Sequence, residues 1–151
     1  MRLPLLIPLL LSAATLLTAC SGEVEDTRPG QPVKTRQASF KDIIRSFEPM
    51  GVMLRGKNFN ADKFLVMANE LVAKREAPWA HFGPDTNYPP TKATAEVWQQ
   101  PEKFERDRLA FIAATDTLLA AAQTKDRQQL EAPYQAVYDT CQGCHKTFRK
   151  R

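Results

Sequence analysis

The sequence predicts an all-α fold, an antiparallel four-helix bundle. Three observations carry this. Apolar residues recur three and four apart through four segments of roughly 15–25 residues each. No strand-like alternation of apolar and polar residues competes with them. One long and two short connections join the segments, which suits antiparallel neighbours. The chain has 151 residues, enough for one domain behind a leader.

The leader comes first. Arg2 is followed by an uncharged stretch, Leu3 to Ala19. That is short for a membrane span, which needs about 20 apolar residues, and Pro4 and Pro8 interrupt it. It ends on small residues, so residues 1–19 read as an export signal. Leu17-Thr18-Ala19-Cys20 resembles the lipobox of bacterial lipoproteins, whose signal is cut before a cysteine that then carries lipid. A free Cys20 thiol in an oxidising compartment would be a liability. Residues 20–38 hold almost no large apolar side chains and read as a flexible tether, with an average span of roughly 20–25 Å. The expected location is the periplasmic side of a bacterial membrane, with Cys20 as the anchor. Ser21 resembles an outer-membrane sorting signal.

The formal net charge is +4, and loss of Arg2 with the leader leaves +3. No basic run is interleaved with aromatics, so nucleic acid is not an expected partner.

The bundle occupies residues 39–151. Ser39, with Asp42 three residues on, resembles a capping box. Phe40, Ile43, Ile44, Phe47, Met50 and Leu54 then form one stripe, which Pro49 is expected to kink. Asn60 is a candidate N-cap for the second helix, whose buried face is Phe64, Leu65, Ala68, Leu71 and Val72. Residues 77–92 form a long connection with Pro78, Pro84, Pro89 and Pro90; its Trp79, Phe82 and Tyr88 suggest that it packs down. A short helical piece, Ala95 to Gln100, carries Val97 and Trp98. Pro101 suits the first turn of the third long helix, with Phe104, Phe111, Ile112, Leu118 and Leu119 on its face. The last helix starts near Asp126. Its stripe is Leu130, Tyr134, Val137, Cys141, Cys144, His145 and Phe148, with an early bend expected at Pro133.

Cys141-Gln142-Gly143-Cys144-His145 carries the chemistry. On a helix, positions i, i+3 and i+4 share one face. Two thiols there can form thioethers with the two vinyl groups of one haem, and the adjacent imidazole reaches the iron from the same side. C-x-x-C-H is a haem attachment signature. A zinc site competes poorly, because only His81 could supply a fourth ligand. A thioredoxin-like pair needs a strand–helix context. The predicted cofactor is one haem c per chain, with Cys141 and Cys144 as thioether attachments and His145 as proximal iron ligand.

The motif lies in the last helix and is followed by Lys146-Thr147-Phe148-Arg149. In this the chain resembles the class II cytochromes c, the cytochrome c prime family. Lys92-Ala93-Thr94-Ala95-Glu96-Val97-Trp98 and Pro101-Glu102-Lys103-Phe104 are similar to the family's tryptophan segment. The resemblance covers about residues 39–151. It implies a four-helix bundle with haem between the helices, often as a homodimer. It further implies that Arg149 tunes the iron and that Trp98 packs close to the haem. Aligning Phe47-Glu48-Pro49-Met50-Gly51 with the family pattern puts Phe47 at the distal wall of the sixth iron position and Ile43 where an arginine is common. A shift of one turn presents Met50 as a distal ligand instead. Met53 and His81 are weaker candidates.

Two functions follow as expectations. With Met50 bound, a histidine–thioether pair raises the potential and the protein transfers single electrons to redox partner proteins; the basic end Lys146, Arg149, Lys150 and Arg151 could steer an acidic partner. With Phe47 over an open iron face, it binds and sequesters small gases such as nitric oxide or carbon monoxide. A peroxidase-like enzyme would need a polar acid–base group over the iron. The first helix offers only Arg45 or Glu48, so the chain reads as non-enzymatic.

Overall fold

Pro32 opens the first helix, seven residues before the start that the apolar stripe suggests. The structure is a computed structural model and describes residues 24–151. The leader at 1–19, Cys20 and Ser21 lie outside the described residues. Helix α1 spans Pro32–Arg55, and a proline suits its first position, where the N–H has no intrahelical partner anyway. The reading of residues 20–38 as a tether is therefore corrected from Asp26 onward. Val33 and Arg36 are buried, and so is Asp26. Polar contacts order this segment, so its lack of large apolar residues was a poor guide. Ser39 does not cap the helix; it sits inside it and donates to the Thr35 carbonyl at 2.9 Å. Pro49 lies within α1 without ending it.

Helix α2, Ala61–Lys74, begins as expected: the Asn60 side chain accepts from the Lys63 N–H at 2.9 Å. The long connection turns through a 3-10 segment at Trp79–His81, and the Trp79 indole donates to the Arg75 carbonyl at 2.7 Å. Helix α3 is one turn, Glu96–Gln99; α4 is Pro101–Gln123; α5 is Glu131–Phe148. Asp126 caps a separate 3-10 turn, Arg127–Gln129. Pro133 falls in the first turn of α5, where it costs no ladder bond.

Four long helices, from α1, α2, α4 and α5, enclose one core. Met50, Phe64, Leu71, Leu118, Leu130 and Val137 are fully buried in it, each worth about 1.5–3 kcal/mol against exposure. No described helix is long and apolar enough to cross a membrane.

Helix α5 packs against α4, α4 against α2, and α2 against α1; between α1 and α5 backbone contact is sparse. Side chains bridge that seam at one end. Phe47 stacks on Tyr134, with centroids 4.4 Å apart. Arg127, just before α5, donates to the Leu54 and Gly56 carbonyls at 2.6 and 3.1 Å. Residue numbers rise along α1 as they fall along α5, so the two helices are antiparallel.

Candidate haem site

Cys141, Cys144 and His145 are half-buried, while Gln142 and Gly143 between them are exposed. The i, i+3, i+4 face thus points inward, as expected. Each cysteine meets a different apolar cluster. Cys141 packs against the main core. Cys144 packs against a smaller cluster of Ala93, Val97 and Phe148 with Phe82, Trp98 and Phe104.

The end of α5 is held by the segment before α3. The Thr94 N–H donates to the Phe148 carbonyl at 3.1 Å and the Lys150 N–H to the Lys92 carbonyl at 2.8 Å. The Thr94 hydroxyl donates to the Thr147 carbonyl at 2.9 Å.

Burial, then the nearby Asp107 carboxylate, pushes the Cys144 thiol up to about 11, and burial also raises Cys141. Reactive redox cysteines need the opposite, a lowered value. Burial and then the Arg149 charge hold the His145 imidazole below its ordinary value, so the ring is neutral and keeps a lone pair for a metal. Among the described residues no three His, Cys, Asp or Glu side chains converge to hold a metal ion, so His81 does not complete a zinc site with the motif.

The seam fixes what α1 presents to this face. Tyr134, level with Phe47, lies seven residues before Cys141 and eleven before His145. At 1.5 Å per residue those steps are about 10 and 16 Å. The same steps backward along α1 reach Phe40 and Arg36. An independent path agrees. Arg36 donates to the Thr91 hydroxyl, which accepts the Ala93 N–H at 3.0 Å, and Ala93 bridges to Arg149 just past α5. The placement of Phe47 at the distal wall is therefore corrected: it sits two turns away, stacked on Tyr134. Met50 is corrected likewise. It is completely buried in the main core, about 20 Å along α1 from the level of Arg36. Met53 lies further still, in a shallow apolar groove with Met67.

Two other α1 residues, Phe40 and Arg36, stand at the level of the motif. Phe40 packs edge-on to Trp79, centroids 5.4 Å apart, and to Phe82 at 6.3 Å. Arg36 is 3 % exposed. Its guanidinium lies over the Phe82 ring at 4.6 Å and is 5.9 Å from the Trp98 ring. It donates to the His81 carbonyl at 2.9 Å, to the Thr86 hydroxyl and carbonyl at 2.9 and 3.0 Å, and to Thr91. Among the described residues no carboxylate forms a salt bridge with it. Pro32 as a helix start, with Val33, Arg36 and Phe40 at helical spacing, was the signal that could have found both.

Trp98 is brought to the Cys144 cluster, and its indole donates to the Gly83 carbonyl at 2.8 Å. Arg149 is exposed, and its N–H donates to the His145 carbonyl at 3.3 Å. His81 lies beside Arg36 through its backbone.

These residues fit a haem: two inward thiols and an imidazole on one helix face, an α1–α5 seam without tight backbone packing, aromatic walls, and a buried cation with no carboxylate in contact. Bundle and motif together define a haem c-binding four-helix protein. The Cytochrome C' family model matches residues 31–149, and the chain belongs to that family. It is 29% identical over 125 residues to the cytochrome c' of Alcaligenes xylosoxydans xylosoxydans, covering 82% of this chain and 97% of the relative. It superimposes on cytochrome c prime from Shewanella frigidimarina with a TM-score of 0.78 at 29% identity, covering 84% and 100% of the two chains. Variants of Alcaligenes xylosoxidans cytochrome c prime solved with nitric oxide and with carbon monoxide match at a TM-score of 0.77 and 29% identity, again over 84% and 100%. As a member of this family, the chain binds one haem c.

Proposed function

We propose that Cys141 and Cys144 hold the haem through thioethers, that His145 is its proximal iron ligand, and that the opposite face carries no protein ligand, so that the protein captures small neutral gases such as nitric oxide and carbon monoxide. One observation carries this reading. At the level of the motif α1 presents Phe40, while Met50 and Met53 lie toward the far end of the bundle. When bound, the haem supplies an iron able to take a diatomic ligand. Phe40, backed by Trp79 and Phe82, would wall the space across from the Cys141–His145 motif. A phenyl ring offers neither donor nor acceptor, so water or an anion loses hydration there without compensation. Arg36 is buried without a contacting carboxylate, a costly state for a cation, and a haem propionate would supply the missing anion. Relatives solved with nitric oxide and carbon monoxide support the same reading.

The test is ligand selectivity. Carbon monoxide and nitric oxide are expected to change the visible spectrum of the ferrous protein, while cyanide and azide bind the ferric protein weakly. Strong anion binding with no response to carbon monoxide would contradict the assignment.

A second reading, single-electron exchange with a partner protein, is supported by the exposed charges of Lys146, Arg149, Lys150 and Arg151 at the His145 end of α5. Exchange rates that fall with rising salt, and fall again on charge reversal there, would support it. On either reading the chain acts without catalysing a reaction.

The leader and Cys20 support a periplasmic, lipid-anchored location. Asp26 is packed against the bundle six residues after Cys20, so by chain length alone a lipid-bearing Cys20 would sit within about 22 Å of it. Cys20→Ala is expected to move the protein from the membrane fraction to the soluble fraction.

A further inference from the structure

Residues 24–31 precede the bundle, yet one of them is among its most buried polar groups. Asp26 is 1 % exposed. Its carboxylate accepts from the Tyr88 hydroxyl at 2.7 Å, from the Lys34 N–H at 3.0 Å and from the Arg28 N–H at 3.3 Å. The Gln31 side chain donates to the Asp26 carbonyl at 3.0 Å. Gln31, at the N-cap position of α1, makes no side-chain cap bond. Asp26 therefore satisfies a free N–H in the first turn, where negative charge is favourable.

The same segment clasps the long connection from outside. The Arg28 guanidinium lies 4.0 Å over the Tyr88 ring and donates to the Asp85 carbonyl at 2.9 Å. From inside, Thr86 and Thr91 of that connection hold Arg36. The loop thus has a strap on one side and the buried cation on the other, and Tyr88 is the residue through which they meet.

We propose that residues 26–31 are a strap that sets the loop holding Arg36, which makes Asp26 and Tyr88 positioning residues for the haem edge. This rests on the reading that Arg36 faces the haem. A loosened strap lets the Thr86 and Thr91 oxygens move, and the guanidinium then shifts or admits water. The electrostatic field at the iron changes although no residue near the iron has been altered.

The test uses the holoprotein with Asp26→Asn, Tyr88→Phe and, as reference, Arg36→Gln. Amide exchange is followed at Thr86 and Thr91, whose N–H groups donate within the loop, together with the haem midpoint potential. Each strap variant is expected to speed exchange at these amides about tenfold, the effect of losing one hydrogen bond. It is also expected to move the potential in the direction that Arg36→Gln moves it, by less. Tyr88→Phe keeps the ring under Arg28 and serves where Asp26→Asn does not fold. Unchanged loop exchange overturns the strap. Faster exchange with an unchanged potential, in a protein whose Arg36→Gln variant does shift, overturns the positioning role. An Arg36→Gln variant that itself leaves the potential unchanged contradicts the placement of Arg36, and the strap is then decided by loop exchange alone.

Discussion

Phe47 and Tyr134 stack across the α1–α5 seam with planes 10° from parallel, and this pair sets the height at which every α1 residue stands. With Phe47 tied to Tyr134, Phe40 comes level with Cys141. The aromatic that faces the motif is therefore two turns from the one chosen by sequence alignment.

The two phenylalanines should separate in their effects. Phe40→Ala removes the wall and is expected to raise the carbon monoxide association rate about tenfold or more, the scale of a steric change in a tight pocket. Phe47→Ala leaves a cavity in the main core and is expected to cost about 3–5 kcal/mol of stability with little change in ligand rate. Flash photolysis and urea denaturation of both variants check this pair of outcomes.

Gly51 provides a second check on the seam. A Cβ there would overlap the Tyr134 hydroxyl. Gly51→Ala is expected to destabilise by about 1–3 kcal/mol, as overpacking does, despite the better helix propensity of alanine. Urea unfolding that finds the variant as stable as wild type would mean that α1 and α5 stand further apart.

Asp26 gives a pH dependence of known sign. Burial alone would raise its carboxyl. Hydrogen bonds from Lys34, Tyr88, Arg28 and Val33 outweigh that and hold it below the ordinary value. A carboxyl lowered by folding contributes stability that is fully present above its unfolded value, about 3.9. That stability is lost as pH falls through the folded value. Asp26→Asn should therefore flatten the fall of Tm below about pH 4. Glu70, Glu96, Glu105 and Asp126 are lowered too, so part of the slope should remain. Identical slopes in wild type and variant would show that Asp26 is not held as described.

Covalent attachment divides between the two thiols. Cys141→Ala and Cys144→Ala are each expected to retain haem through one thioether, and the double variant to lose it on acid extraction. Intact-mass spectrometry reads all three. A haem-bearing mass in the double variant would place the attachment elsewhere.

The motif was legible because spacing alone puts Cys141, Cys144 and His145 on one helix face. The Asn60 cap was legible because the side chain and the free N–H groups belong to the same turn. The distal residue was not. Phe40, Phe47 and Leu54 recur every seven residues, so they share a face, and a stripe tells which face is buried without telling its height against another helix. That height depends on where Phe47 meets Tyr134, a contact between residues 87 positions apart. The strap was illegible for a different reason. Asp26, Arg28 and Arg36 look like solvated charges until Tyr88, Thr86 and Thr91 are folded against them.

The coordination of the iron tests the central claim most directly. The visible and resonance Raman spectra of the purified ferric and ferrous holoprotein, recorded beside Met50→Ala, decide it. A high-spin, five-coordinate ferrous haem, identical in the variant, is the predicted result. A low-spin, six-coordinate haem that becomes high-spin on Met50→Ala would contradict it.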